Sequence, residues 1–233
     1  MKQRLIFIGL SIAGILFAAD RGPVLHYDFT APMIQQGGIY KQPALPSDVK
    51  MASPEQALIL TGGMWQKELV VPESAGFSLA EGAAFYALVR FNQDGKKGGQ
   101  NDAHDMILFK NKDMLFGRSC GDFYFNIGTG DKWVCSVTAP NIPTKRWTAL
   151  AATVTKNGEA NYTARLYIDG RKAAEKTLQK KLVAPNSNPI TIGKGWGGPW
   201  HFCGLLGRII IFDRALTDDQ IAGLSAQEPL LKK

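Results

Sequence analysis

The chain has 233 residues, 45% of them hydrophobic, with 27 Lys and Arg against 20 Asp and Glu for a formal charge of +7. That length excludes a small module and suits one all-β sandwich domain, whose core needs no disulfide staples. The basic residues are scattered or stand in short pairs such as Lys96-Lys97 and Lys180-Lys181. With no arginine-rich stripe interleaved with aromatics, nucleic acid is not an expected partner.

Residues 1–19 read as a signal peptide. Lys2 and Arg4 form a positive start, Leu5 to Phe17 an apolar core, and Ala18 and Ala19 a small-residue cleavage site. The apolar run is short for a bilayer span, although an uncleaved anchor stays open as an alternative. The expectation is a secreted or periplasmic domain over residues 20–233, with no membrane span after cleavage. Loss of Lys2 and Arg4 takes the formal charge from +7 to +5.

Val24 to Phe29 alternates as a strand does, and Pro32 ends it. Residues 30 to 55 hold Pro32, Gly37, Gly38, Pro43, Pro46 and Pro54 and predict irregular chain over the surface. Ala57 to Leu60 is a second strand. Ala83 to Phe91 is the first long one, with Phe85, Ala87, Val89 and Phe91 on one side and Ala84, Tyr86, Leu88 and Arg90 on the other. Strands over Met106 to Phe109, Asp113 to Arg118, Asp122 to Ile127 and Lys132 to Val137 follow, with a turn at Gly128 to Asp131. Trp147 to Val154 is long, and Asn157-Gly158 predicts a tight turn. The strand Asn161 to Ile168 then leads into Asp169-Gly170, the strongest hairpin signal in the chain, because a type I′ turn needs positive φ at both central positions. Arg171 to Leu178 pairs back. Ile190 to Gly193 and Gly207 to Asp213 complete the set. In the latter, Ile209 and Ile211 oppose Ile210 and Phe212, so both faces are apolar and the strand is expected to be buried on both. Thr217 and Gln220 have the spacing of a capping box for one short C-terminal helix.

About a dozen short strands with almost no helix predict an all-β fold: an antiparallel two-sheet jelly-roll sandwich, its sheets about 10 Å apart. Trp147 is expected to fill the space between them. Parallel α/β is excluded, because no helical periodicity separates the strands.

Three cysteines, Cys120, Cys135 and Cys203, allow one disulfide in an oxidising compartment or three free thiols. A hairpin centred on Gly128 to Asp131 sets Cys120 opposite Ala139 and Cys135 opposite Tyr124, which argues against a Cys120–Cys135 bond. A three-cysteine metal site has no close C-x-x-C spacing to support it.

The stretch Ile192-Gly193, Phe202-Cys203-Gly204 and Gly207-Arg208-Ile209-Ile210-Ile211-Phe212-Asp213-Arg214-Ala215-Leu216-Thr217 resembles the C-terminal signature of the concanavalin A-like lectin/glucanase superfamily, in its laminin-G-like branch. Trp147, Leu166-Tyr167-Ile168-Asp169-Gly170 and His26-Tyr27-Asp28-Phe29 are similar to its tryptophan strand, its hairpin and its first strand. The resemblance implies the jelly roll. It says little of function, since this fold hosts lectins, hydrolases, lyases and adhesion modules.

The superfamily's hydrolases set paired carboxylates on one strand, as glycoside hydrolysis requires. Here Glu55, Glu68, Glu73, Glu81, Glu159, Glu175 and Glu228 each stand alone. A lyase needs a Tyr or His base and a group that neutralises a uronate. His201, with Arg118 and Tyr124, is the one imaginable set. No Gly-x-Ser-x-Gly elbow is present.

The loop Lys194 to Phe202 is the best binding candidate. Trp196 and Trp200 lie four apart in a Gly/Pro frame that cannot be helical. Indole faces suit the apolar faces of sugar rings, and His201, with Asp131 and Trp133 at a neighbouring turn, adds further contacts. The competing reading is that these indoles pack down as cover for the sandwich. Asn101, Asp102 and Asp105 form an oxygen-rich stretch, and the resemblance implies a rim Ca²⁺ that such residues hold. The leading expectation is a lectin-like carbohydrate-binding domain. A glycan-active enzyme and an adhesion module with a protein partner remain as alternatives.

Overall fold

The computed structural model describes residues 22–30, 35–37, 50–52, 57–61, 69–92, 104–182, 185–196 and 200–232. The proposed signal peptide, Asn101 and Asp102 lie outside this set.

The described residues form strands β1 (Leu25–Asp28), β2 (Gln35–Gly37), β3 (Lys50–Ala52), β4 (Ala57–Thr61), β5 (Leu69–Val70), β6 (Ala83–Phe91), β7 (His104–Lys110) and β8 (Met114–Ser119). They continue as β9 (Asp122–Gly128), β10 (Trp133–Ala139), β11 (Thr148–Gly158), β12 (Asn161–Ile168), β13 (Arg171–Gln179), β14 (Thr191–Ile192) and β15 (Cys203–Phe212). One helix, α1 (Asp218–Ala226), follows. A nine-stranded sheet runs β13-β12-β11-β6-β15-β1-β2, with β4 also on β15 and β3 on β4. A six-stranded sheet runs β10-β9-β8-β7-β14-β5. Every pairing is antiparallel, and the two sheets form a jelly-roll sandwich.

Period-two alternation explains the core. Phe85, Ala87, Val89 and Phe91 of β6 and Ile209 and Ile211 of β15 enter one buried cluster with Phe116, Phe123, Phe125 and Ile127 from the second sheet. Phe85 packs on Phe77, Phe116 and Phe125 with ring centroids 5.6–6.2 Å apart. Each such ring, fully buried, contributes roughly 1.5–3 kcal/mol.

The other side of the nine-stranded sheet is also buried, for a different reason. Ala84, Tyr86, Leu88, Ile210 and Phe212 belong to a second cluster, closed by Leu216 and Ile221 around α1 and by Leu230 of the last turn. Trp147 lies in this cluster, so it is buried as expected but not between the sheets. The double-sided strand is therefore covered by the second sheet on one face and the C-terminal segment on the other. Arg208 fastens that segment: it donates to Asp28 of β1 and to Glu228 beyond α1, both at 2.7 Å, and the Tyr86 hydroxyl donates to Glu228 at 3.2 Å.

Local signals explain the connections. Asp169 and Gly170 take φ of 51° and 79°, the two positive values the hairpin needs. The Thr217 hydroxyl accepts from the Gln220 amide, and the Gln220 side chain accepts from the Thr217 amide, closing the capping box. Asn157-Gly158 is not the turn: β11 runs through it, and the chain reverses at 159–160, where Gly158 faces Asn161. The β9–β10 turn is also shifted. The Thr129 amide donates to the Lys132 carbonyl, and a bulge between Trp133 and Cys135 sets Cys135 opposite Ile127 rather than Tyr124. All three cysteines are free thiols.

Candidate functional site

In the six-stranded sheet, the alternation that sends Phe116, Phe123 and Phe125 inward sends Leu115, Tyr124 and Asn126 to the opposite face. Met106 and Phe109 of β7 join them. Over this face lies a strap, whose described residues are 193–196 and 200–202. The Gly195 amide donates to the Trp200 carbonyl at 2.7 Å, the Phe202 amide to the Gly193 carbonyl at 2.9 Å, and Lys194 faces His201 in an antiparallel bridge. The Gly193 amide donates to the Ile107 carbonyl at 3.0 Å and ties the strap to β7. Glycine is needed at 195, where an added Cβ would sit 2.7 Å from Met106 Cγ.

The strap brings three half-buried indoles together. Trp196 is central: its ring lies 5.6 Å from Trp133, 5.2 Å from Trp200 and 5.1 Å from Phe109, at interplanar angles of 89°, 89° and 70°. Its Nε1 donates to Asn111 Oδ1 at 3.2 Å. Trp200 stacks on His104, with centroids 3.8 Å apart and planes 14° from parallel. His104 Nδ1 and Ser119 Oγ are 3.0 Å apart. Asn126 donates from its amide nitrogen to the Tyr124 hydroxyl. The result is an angular aromatic surface, built of crossed rings rather than a flat coplanar pair, with neutral polar groups among them.

The sequence-predicted residues divide. Trp133, Trp196 and Trp200 converge. Asp131 is exposed at the adjoining turn, where the Thr129 hydroxyl donates to it at 2.5 Å and holds its carboxyl below the usual carboxylate range. His201 is buried, 4% exposed, which removes it from any sugar-contacting surface. Asn101 and Asp102 lie outside the described residues.

Asp105 corrects the expectation of a Ca²⁺ ligand. It is the second residue of β7, fully buried. Its Oδ2 accepts from Arg118 Nε and Nη2 at 2.9 and 2.6 Å, and its Oδ1 accepts from the Cys203 amide at 2.8 Å. Burial pushes its carboxyl upward, and Arg118 pulls it back. Three of its roughly four acceptor directions are engaged within the protein. Among the described residues, no three His, Cys, Asp or Glu side chains are arranged to hold a metal ion. The same pair removes Arg118 from the set with His201 and Tyr124, because its guanidinium is fully buried against Asp105 and the Phe91 ring, 4.2 Å away.

His104, Asn111 and Asn126 were not singled out as site residues by the sequence. Asn126 carried a usable signal, since it falls two residues after Tyr124 on the outward side of an alternating strand. His104 and Asn111 did not, because their placement depends on where the strap lands.

The family model that describes the concanavalin A-like lectin/glucanases superfamily matches residues 72–222. The chain belongs to this superfamily. Among solved structures, the superfamily domain described here is similar to domain 4 of an extracellular GH43 arabinanase from Geobacillus stearothermophilus, in complex with arabinotriose. The two are 20% identical with a TM-score of 0.61, over 88% of this chain and 98% of that one. It is also similar to the binding domain of botulinum neurotoxin DC in complex with SialylT, at 14% identity and a TM-score of 0.66, over 88% of this chain and 51% of that one. The serotype D binding domain matches at 13% identity and a TM-score of 0.67, over 89% of this chain and 52% of that one. The superfamily domain thus spans about half the length of the toxin chains it matches. At these identities the likeness carries the fold. No curated protein sequence matches significantly.

Proposed function

We propose that this is an exported, lectin-like domain that binds a glycan on the strap-covered face of its six-stranded sheet. The observation that carries the reading is the convergence of Trp133, Trp196 and Trp200 around neutral polar groups. Half-buried indoles present apolar area to the C–H faces of a sugar, and nearby hydroxyls and amides fix its orientation. A similar fold in complex with arabinotriose supports the reading, as does a toxin binding domain in complex with SialylT. Export rests on the character of residues 1–19.

The test is an oligosaccharide array probed with the domain and with Trp200→Ala and Trp133→Ala. Both variants should lose signal against the glycan that the parent binds, with the fold retained by circular dichroism. A parent that binds no glycan, or variants that bind as the parent does, would refute the assignment.

A further inference from the structure

Asn186 uses every polar group it has. Its Oδ1 accepts from Lys110 Nζ at 3.2 Å and from the Asn188 amide at 2.9 Å. Its Nδ2 donates to the carbonyls of Asn111 and Gly130, the latter at 3.3 Å. Its main-chain amide donates to Asp113 Oδ2 at 3.3 Å, and its carbonyl accepts from Lys110 Nζ at 2.9 Å. The partners fix which way the side-chain amide points, with donors on one side and carbonyls on the other. One half-buried residue thus joins its own loop, which runs on into β14 and the strap, to the β7–β8 turn and the β9–β10 turn.

Each of those turns carries part of the indole surface. Asn111 Oδ1 accepts from Trp196 Nε1 at 3.2 Å, and Trp133 opens β10 just beyond Gly130. The turns already touch, since the Gly130 amide donates to the Lys112 carbonyl at 3.0 Å. Beside them the Lys110 side chain is 0% exposed, its ammonium shared between Asp113 and the two Asn186 oxygens. Replacing such a buried pair by apolar side chains is often neutral or stabilising, and its best-attested use is to fix one arrangement over others. We infer that Asn186 is a positioning residue for the indole surface. With Lys110 beneath it, Asn186 holds the turns so that the Trp133 and Trp196 rings stand 5.6 Å apart before a sugar arrives. The step from ring placement to binding rests on the glycan reading above.

The experiment compares the parent with Asn186→Asp and Asn111→Ala, below the melting temperature of the least stable. Asn186→Asp keeps an acceptor for Lys110 and Asn188 but cannot donate to the Asn111 and Gly130 carbonyls. Asn111→Ala removes only the acceptor of Trp196 and leaves the main-chain bonds of the turn. One readout is the exciton couplet of the paired indoles in circular dichroism, identified by its loss in Trp196→Phe. The other is calorimetric titration with arabinotriose, cellotriose and sialyllactose. Both variants should weaken the couplet. Both should bind the parent's preferred trisaccharide about tenfold less tightly, because the freed rings must then be ordered on binding. A residue that served stability alone would lower the melting temperature and leave couplet and affinity unchanged. A parent-like couplet in Asn186→Asp or, should that variant not fold, in Asn111→Ala overturns the inference. A weakened couplet with parent-like affinity overturns the role in binding. A parent that binds none of the three sugars sinks the glycan reading, and the couplet still decides the placement of the rings.

Discussion

Arg118 and Asp105 form an ion pair with 0% and 1% of their side-chain surfaces exposed, the guanidinium meeting the carboxylate through both Nε and Nη2. Two charges removed from water in this way stabilise little as a pair, but each is costly without the other. Arg118→Met should therefore destabilise the domain by about 3–5 kcal/mol. The double variant Arg118→Met with Asp105→Leu should recover most of that loss. Urea denaturation of the two single variants and the double variant measures the coupling. A double variant as unstable as the worse single one would contradict the account.

The crossed indoles predict unequal costs. Trp196 touches Phe109, Trp133 and Trp200 and donates to Asn111, whereas Trp200 lies over His104 and, among the described indoles, meets Trp196 alone. Each aromatic pair contributes about 0.5–1.5 kcal/mol beyond its buried area. Trp196→Ala should thus lower stability by about 3 kcal/mol or more, and Trp200→Ala by clearly less. Chemical denaturation followed by circular dichroism, which does not depend on the deleted fluorophore, gives both values.

Burial pushes the His26 imidazole below its ordinary value of 6.5, with Arg208 acting in the same direction and Asp28 against it. A histidine depressed in the fold contributes stability that is complete above pH 6.5. That stability is lost as pH falls from 6.5 through the lower folded value, because the unfolded chain takes the proton first. His26→Gln should flatten the stability profile between pH 7 and pH 5 relative to the parent. Glu228 is raised by burial and changes stability in the opposite sense, so the difference between the two profiles isolates His26. Superimposable profiles would sink the prediction.

Thr217→Ala removes the hydroxyl that caps α1 and should cost about 1 kcal/mol, while Thr217→Ser should be nearly neutral. Thermal melting of the two variants separates loss of the cap from loss of the methyl group.

Much of this fold was legible because alternation is a local property. β6 and β12 fall at their expected limits, and the inward set Phe85, Ala87, Val89 and Phe91 was readable from spacing alone. Trp147 was harder: its burial followed from size and apolarity, but which side of the sheet it took depended on a C-terminal segment some eighty residues away. A shifted turn and a bulge together undid the expected pairing of β9 and β10: Trp133 already faces Gly128, two residues from its expected partner, and the bulge between Trp133 and Cys135 moves every later partner by one more. The indoles of the site were visible from composition. Their crossed arrangement was not, because it is set by contacts between the strap, β7 and β10. Asp105 misled for a related reason. In sequence it closes an oxygen-rich run, yet alternation along β7 turns it toward Arg118.

Arg208 joins Asp28, close to the start of the described chain, to Glu228, close to its finish. The first and last described segments are thereby held together on the face of the nine-stranded sheet that α1 covers. A support or bead coupled at an exposed residue of α1 would lie beyond the nine-stranded sheet, across the sandwich from the six-stranded sheet that carries the indoles. Such a molecule can be immobilised without masking the indole surface.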